Sequence, residues 1–316
     1  MLKVGLIGAG SISGAHIPAW EALDFAELVC ICDGRKEKLD QFPQKRCYTD
    51  LAEMLDREEL DILDICVPTF AHVDCALQAL NRGIHVLCEK PLSLNPEDAD
   101  RVYAAARENG VFFMVAQVLR FWREYEILRD LIVSQKYGKL LSLHMSRLFG
   151  LPEWTVGNWS HDESKSGLTP FDVHVHDLDF LVWTLGEPKQ VTRHRTKGPG
   201  RDYIHAVYEF EDCFATADAA FFAAPGYSSV GYRAQFERAV AEKTDTSFLI
   251  WQADGTQIDL DEKNKEAGII NLPATDAFQK EIGYFAACVR DGVAPDLIRQ
   301  EQVSAVLRLC KGFQAL

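Results

Sequence analysis

The chain has 316 residues, 47% of them hydrophobic and 25% charged, with a formal net charge of −14 at pH 7. That length exceeds what one hydrophobic core usually organises and argues for two domains. The acidic balance, with no lysine or arginine stripe to offset it, excludes nucleic acid as an expected partner. No apolar run approaches the roughly 18 residues that span a bilayer, and Met1-Leu2-Lys3 runs straight into a strand without a signal-peptide pattern. A soluble cytoplasmic protein with no membrane role is expected.

In chain order, apolar runs at Lys3 to Ile7, Leu28 to Cys32, Ile62 to Val67, His85 to Cys88 and Phe112 to Ala116 alternate with helical segments. This alternation is the signature of a parallel sheet built from βαβ units. Asn95-Pro96-Glu97 opens a helix over Ala99 to Glu108 that Gly110 stops, and Gly83 ends the helix before it. After Gln117 the pattern changes. A helix over Trp122 to Gln135 leads to strands at Leu140 to Leu148, Tyr203 to Phe210, Phe214 to Phe222, Arg233 to Val240, Phe248 to Trp251 and Thr256 to Leu260. Tyr203 to Phe210 and Phe214 to Phe222 read as a hairpin around Glu211-Asp212-Cys213. Helices at Ala277 to Arg290 and Glu301 to Lys311 close the chain. The expected class is α/β: a Rossmann doubly wound parallel sheet over residues 1–120, then an α+β domain with a largely antiparallel open sheet over residues 121–316. The C-terminal helices are free to pack back on the first domain.

Gly8-Ala9-Gly10-Ser11-Ile12-Ser13 follows the first strand at once and opens a helix, the context that makes such a string a nucleotide turn. Gly8 permits the tight turn, Gly10 admits a pyrophosphate to the backbone, and Ser11 and Ile12 lie at the helix N-terminus where phosphate is favoured. The third glycine position holds Ser13, with Gly14 after it. Asp33 ends the second strand, where a carboxylate accepts from both ribose hydroxyls and repels a 2′-phosphate. NAD is the expected cofactor, and Arg35 and Lys36 leave NADP open.

Glu89-Lys90-Pro91 follows the fourth of these strands, at the carboxyl edge where open α/β sheets bind ligands. Proline there imposes a cis bond or a rigid turn that holds Lys90 in one direction, and a lysine in a partly dry cleft can polarise a substrate hydroxyl. Asp172-Val173-His174-Val175-His176-Asp177-Leu178-Asp179 concentrates acids and histidines. As a strand it would resemble a metal site; Val175, Leu178, Val182 and Leu185, with Gly186 after them, favour a helix instead. On that helix Asp172 and His176 share a face as an acid-base pair, while His174, Asp177 and Asp179 cap, pair or pack. Nine cysteines without a C-x-x-C pair read as reduced thiols, and no metal site is expected.

In combination these motifs resemble the family of glucose-fructose oxidoreductase, inositol dehydrogenase and rhizopine catabolism proteins over essentially the whole chain. The glycine fingerprint, Pro68-Thr69-Phe70-Ala71-His72, Glu89-Lys90-Pro91 and Asp172 with His176 carry the resemblance. It implies a Rossmann domain followed by an open-sheet domain that serves as subunit interface, hence a homodimer or homotetramer. It also implies that Lys90, Asp172 and His176 line the substrate site, and that Pro68, Thr69, His72, Glu89 and Gln117 lie along the cofactor. Many relatives have glycine where this chain has His174, so contact of His174 with substrate stays open.

The expected reaction is reversible oxidation of a secondary hydroxyl on a sugar, polyol or sugar acid, with His176 as base, Asp172 orienting it and Lys90 polarising the oxygen. Trp159 and His161 are candidates for contacting the sugar ring. Arg120 reads equally as a ligand for a substrate carboxylate or as a surface salt bridge. The rivals are an NAD-dependent glycosidase acting by transient oxidation, a non-catalytic NAD-binding regulator, and a metal-dependent hydrolase using the histidine cluster.

Overall fold

A computed structural model describes residues 1–152, 156–261 and 276–316. The chain divides into two units, the described parts of Met1–Phe121 with Lys265–Ser304, and of Trp122–Asn264 with Ala305–Leu316. No described helix is long and apolar enough to cross a membrane.

The first unit starts with β1 (Leu2–Ile7), α1 (Ser13–Glu21), β2 (Ala26–Cys32), α2 (Lys36–Leu39), β3 (Arg46–Tyr48) and α3 (Leu51–Arg57). It continues with β4 (Ile62–Ile65), α4 (His72–Leu80), β5 (His85–Cys88), α5 (Glu97–Glu108) and β6 (Phe113–Val115). The strands form one parallel sheet in the order β3-β2-β1-β4-β5-β6. Strands such as β4, buried at every position, are apolar in sequence, Asp64 excepted, because helices cover both faces of a parallel sheet. β3 is a short, mostly exposed edge strand, so no apolar run announces it in the sequence. Strand order reverses between β1 and β4, which makes their carboxyl ends the ligand-binding crevice of such a sheet.

The second unit comprises α6 (Arg123–Ser134), β7 (Leu140–Gly150), α7 (Glu163–Ser166), α8 (Thr169–Asp172), α9 (Val175–Leu185), β8 (Gln190–Gly198), β9 (Arg201–Glu209), β10 (Phe214–Phe222), β11 (Ser228–Phe236), β12 (Ala239–Lys243), β13 (Phe248–Gln252) and β14 (Gln257–Asp259). α10 (Ala277–Asp291) belongs to the first unit, packed on α1, and α11 (Gln300–Lys311) spans the division. The eight strands lie in the order β14-β13-β12-β11-β7-β10-β9-β8, antiparallel except for the β7–β10 pair. Alternate residues of β9 and β10 are buried, so one face of the sheet is core and the other is left partly open.

One expectation is corrected and one strand is added. The run Arg233 to Val240 is the end of β11 and the start of β12, joined at Glu237-Arg238, because both strands alternate alike and the turn carries no glycine or proline. β8 went unread in the sequence because its side chains alternate between exposed and half-buried and are mostly polar.

Candidate functional site

The glycine turn follows from the approach of β1 to β4. Gly8 has φ +102°, and a Cβ there would lie 2.5 Å from the carbonyl carbon of Cys66 and 2.6 Å from its oxygen, so only glycine fits. Gly10 differs: nothing stands within 4 Å of where its Cβ would be. Ser13 closes the turn, buried, with its Oγ donating to Gly10 O at 2.6 Å. Ser11 and Ile12 precede α1 directly.

Asp33 sits just beyond β2 and is buried. Its Oδ2 accepts the Ala9 amide at 2.9 Å, which ties the acid to the glycine turn. Arg35 grips the same carboxylate, with Nε 2.9 Å from Oδ1 and Nη2 2.8 Å from Oδ2. Burial works against ionisation, but the Arg35 and Ala9 hydrogen bonds outweigh it and hold the carboxyl below its ordinary value. The expected ribose ligand is therefore paired to the very arginine that leaves NADP open.

Pro68 and Thr69 begin the turn after β4, with Thr69 buried in a short 3₁₀ segment. His72 is 1% exposed and its ring nitrogens face Pro91 O and Val67 O, each at 2.8 Å. The side chain that resemblance places along the cofactor is spent on latching two turns together. Lys90-Pro91 is a cis peptide. Lys90 is half-buried, and its backbone N–H donates to Glu89 Oε2 at 3.0 Å. Gln117 follows β6, is buried, and has its Oε1 without a hydrogen-bond partner among the described residues.

Beneath this turn lies a group that the sequence did not announce. His16 on α1 is fully buried, with Nδ1 2.8 Å from Asp64 Oδ2 and Nε2 3.0 Å from Glu89 Oε1. Trp20 Nε1 donates to the same Asp64 oxygen at 2.7 Å. Burial pulls the His16 imidazole down, yet Asp64 and its neighbours raise it well above its ordinary value, so both nitrogens donate. Burial likewise pushes Glu89 up, and the bond and charge of His16 with nearby Lys90 bring it below its ordinary value. His16, Asp64 and Cys66 are close enough to hold a metal ion, but their separations are already those of hydrogen bonds, and burial first and Asp64 second push the thiol up to about 12.

In the second unit the structure corrects the continuous helix expected over the Asp/His cluster. α8 ends at Asp172, α9 starts at Val175, and Val173 and His174 form a turn between them. α8 is fastened at its start. Leu168 takes φ +56°, strained for a branched residue, and delivers Thr169 to Asp202 of β9. Thr169 N donates to Asp202 Oδ2 at 3.0 Å and its Oγ1 to Asp202 O at 2.8 Å. Arg195 braces Asp202, with Nε 2.8 Å from Oδ1 and Nη2 2.9 Å from Oδ2. α9 is fastened separately. Arg147 binds Asp177, and His174 Nε2 lies 2.6 Å from the Tyr208 hydroxyl. Asp172 and His176, both half-buried, thus stand on two separately anchored segments. His174 is 0% exposed and tied to Tyr208 and to Asp177 (3.4 Å).

Arg120 is neither a surface ion pair nor an exposed ligand. It is buried, and its Nη1 donates to Leu297 O at 2.5 Å and Gln302 Oε1 at 2.8 Å. Trp159 is half-buried, and exposed His161 has Nε2 2.7 Å from Pro152 O. Both lie in the loop Leu151 to Gly167, of which residues 153–155 are outside the described residues.

The model of the oxidoreductase family with an NAD-binding Rossmann fold matches residues 2–117, and the GFO/IDH/MocA C-terminal domain model matches residues 125–242. D-glucoside 3-dehydrogenase of Escherichia coli is 28% identical over 67% of this chain and 64% of its own length. Glucose-6-phosphate 3-dehydrogenase of Bacillus subtilis is 31% identical over 61% and 56%. The chain therefore spans less than two thirds of the length of these curated relatives. The solved structure of levoglucosan dehydrogenase with NADH and levoglucosan shares the fold, with TM-score 0.84 at 18% identity over 99% of this chain and 96% of that one. With two models of one family matched in succession over the Rossmann turn, the Glu-Lys-Pro turn and the Asp/His cluster, the chain belongs to the GFO/IDH/MocA oxidoreductase family.

Proposed function

We propose that this protein is an NAD-dependent dehydrogenase that oxidises a secondary hydroxyl of a sugar, polyol or sugar acid. The observation that carries the reading is the pairing of a glycine whose Cβ position is open, Gly10, with a buried carboxylate, Asp33, hydrogen-bonded to the same turn. The residues fit the cofactor: Gly10 leaves room for a pyrophosphate over Ser11 and Ile12, Asp33 suits ribose hydroxyls, and the orphaned Gln117 Oε1 suits an amide donor. When bound, NAD accepts the hydride released by the carbinol carbon.

The protein's own side chains handle the oxygen. His176 takes the hydroxyl proton on an imidazole nitrogen, Asp172 orients that imidazole, and Lys90 Nζ stabilises the negative charge that builds on oxygen. Trp159 and His161 contact the sugar ring. The relatives' names, which specify a glucoside and glucose 6-phosphate, support the substrate class. The first unit would carry the nucleotide and the second unit the substrate. The open face of the eight-stranded sheet is the proposed surface for a homodimer or homotetramer, and nine unpaired cysteines support a reducing, cytoplasmic setting.

The test is a panel of polyols, aldoses and aldonic acids incubated with NAD or NADP while reduced-nicotinamide absorbance is followed. Turnover with at least one member is expected, and Lys90→Ala or His176→Ala lowers kcat about a hundredfold or more with little change in cofactor affinity. No turnover with any member and no binding of NADH would overturn the reading.

A further inference from the structure

The cluster beneath the Glu89-Lys90-Pro91 turn contains one acid without an assigned purpose. Asp64, Glu89 and Glu281 converge on His16, and Asp64, Glu281 and His16 are 0% exposed. Hydrogen bonds account for Asp64, which receives His16 and Trp20, and for Glu89, which receives His16 and the Lys90 amide. Glu281 is different. Both of its carboxylate oxygens are buried without a hydrogen-bond partner among the described residues. It arrives on α10, whose Phe278, one turn earlier, packs its ring 5.8 Å from that of His16.

Charge decides the form Glu281 takes. His16 and Lys90 supply positive charge, and Asp64 and Glu89 are the acceptors bonded around them. A third carboxylate in this buried volume would lose its solvation, with the Gln117 backbone amide as its one nearby donor among the described residues, a cost that the neutral acid lessens. Burial first and Glu89 second push Glu281 well above the usual carboxylate range, outweighing His16 and the Gln117 backbone amide, which favour ionisation.

The geometry assigns Glu281 as a positioning residue of the Lys90 turn: a neutral carboxylic acid that closes the cluster from α10 and leaves Glu89 as the anionic acceptor of the Lys90 amide. The assignment rests on the dehydrogenase reading only for Lys90's part in turnover. Ionisation of Glu281 would set a second negative charge against Glu89, drawing His16 away from it and loosening the turn. The groups facing Glu281 are His16 of α1, Asp64 of β4, Glu89 after β5 and the Gln117 backbone amide after β6.

The test uses Glu281→Ala and Glu281→Gln in the full chain. Glu281→Ala is expected to lower kcat about tenfold or more with the KM for NAD unchanged, because a displaced Lys90 affects reaction more than cofactor binding. Glu281→Gln, neutral and of the same shape, should rescue kcat to within about threefold and move the alkaline limb of the kcat profile upward, since it has no proton to lose. The infrared difference spectrum of wild type against Glu281→Gln at pH 7 should contain the carbonyl band of a neutral carboxylic acid. Its melting temperature relative to wild type should rise with pH from about pH 5 upward, since a raised pKa makes the native state of wild type bind the extra proton. Absence of the band, a flat melting difference, or an alkaline limb that stays in place would overturn the assignment. If Glu281→Ala does not fold, Glu281→Gln alone decides. A wild type without turnover would instead overturn the dehydrogenase reading, and the band and melting trend would still judge Glu281.

Discussion

Arg147 holds Asp177 through Nε and Nη2, 3.1 and 3.0 Å from the same carboxylate oxygen, while Nη2 also donates to the Tyr125 hydroxyl at 2.8 Å. Both partners are almost completely buried. Asp177 is next to His176, so this pair fastens the first turn of α9, the helix that carries the proposed base.

Removing one partner leaves a buried charge uncompensated. Arg147→Met should destabilise the protein by about 3–5 kcal/mol, and Arg147→Met with Asp177→Leu should recover much of that loss. Urea unfolding of the three proteins checks this; a double variant no more stable than the single one would show that the pair is not the source of the loss.

The two glycines of the nucleotide turn should separate folding from binding. Gly8→Ala meets the Cys66 backbone at a positive φ and should cost roughly 1–3 kcal/mol or more. Gly10→Ala enters open space, so stability should stay within about 0.5 kcal/mol while NAD affinity falls about tenfold or more. Thermal melting with NADH fluorescence titration measures both, and Gly10→Ala with wild-type affinity would remove the turn from the cofactor site.

Asp33 and Arg35 compete for one another with the nucleotide. Asp33→Ala should weaken NAD about tenfold to a hundredfold and NADP less, because it removes charge-assisted bonds to ribose hydroxyls. Arg35→Ala should act oppositely, tightening NAD and weakening NADP. Unchanged discrimination in both variants would exclude the pair from nucleotide choice.

The His16–Glu89 bond sets a pH window for stability. Glu89 is lowered in the fold, so its contribution is present above its ordinary value and is lost as pH falls through the depressed one. His16 is raised, so its contribution is complete below its ordinary value and is lost as pH rises through the raised one. The pair is therefore intact at neutral pH and weakens at both extremes. His16→Gln should flatten this dependence, and urea midpoints across pH that run parallel to wild type would contradict it.

Local chemistry was legible in the chain. Strands buried on both faces are mostly apolar, a turn pressed against Cys66 must have glycine at position 8, and the class of the first sheet followed from such runs alone. Gly10, Asp33 and Lys90 were readable as candidates for the same reason: each stands within three residues of a strand end that the sequence marks. The periodicity of Val175, Leu178, Val182 and Leu185 also identified α9 correctly, but it begins only at Val175 and carries nothing about the residues before it. The start of α8 is held by Asp202 and Arg195, residues of β9 and β8 that no local pattern connects to Thr169. His16, Asp64 and Glu281 are likewise ordinary letters within separate elements, and only packing of α1 and α10 against the sheet joins them to Glu89 in one buried charge system. Sequence determined which local conformations were affordable, since sterics and side-chain periodicity act between near neighbours. Tertiary structure decided which charges are buried together, because Coulomb interaction and desolvation depend on distance in space.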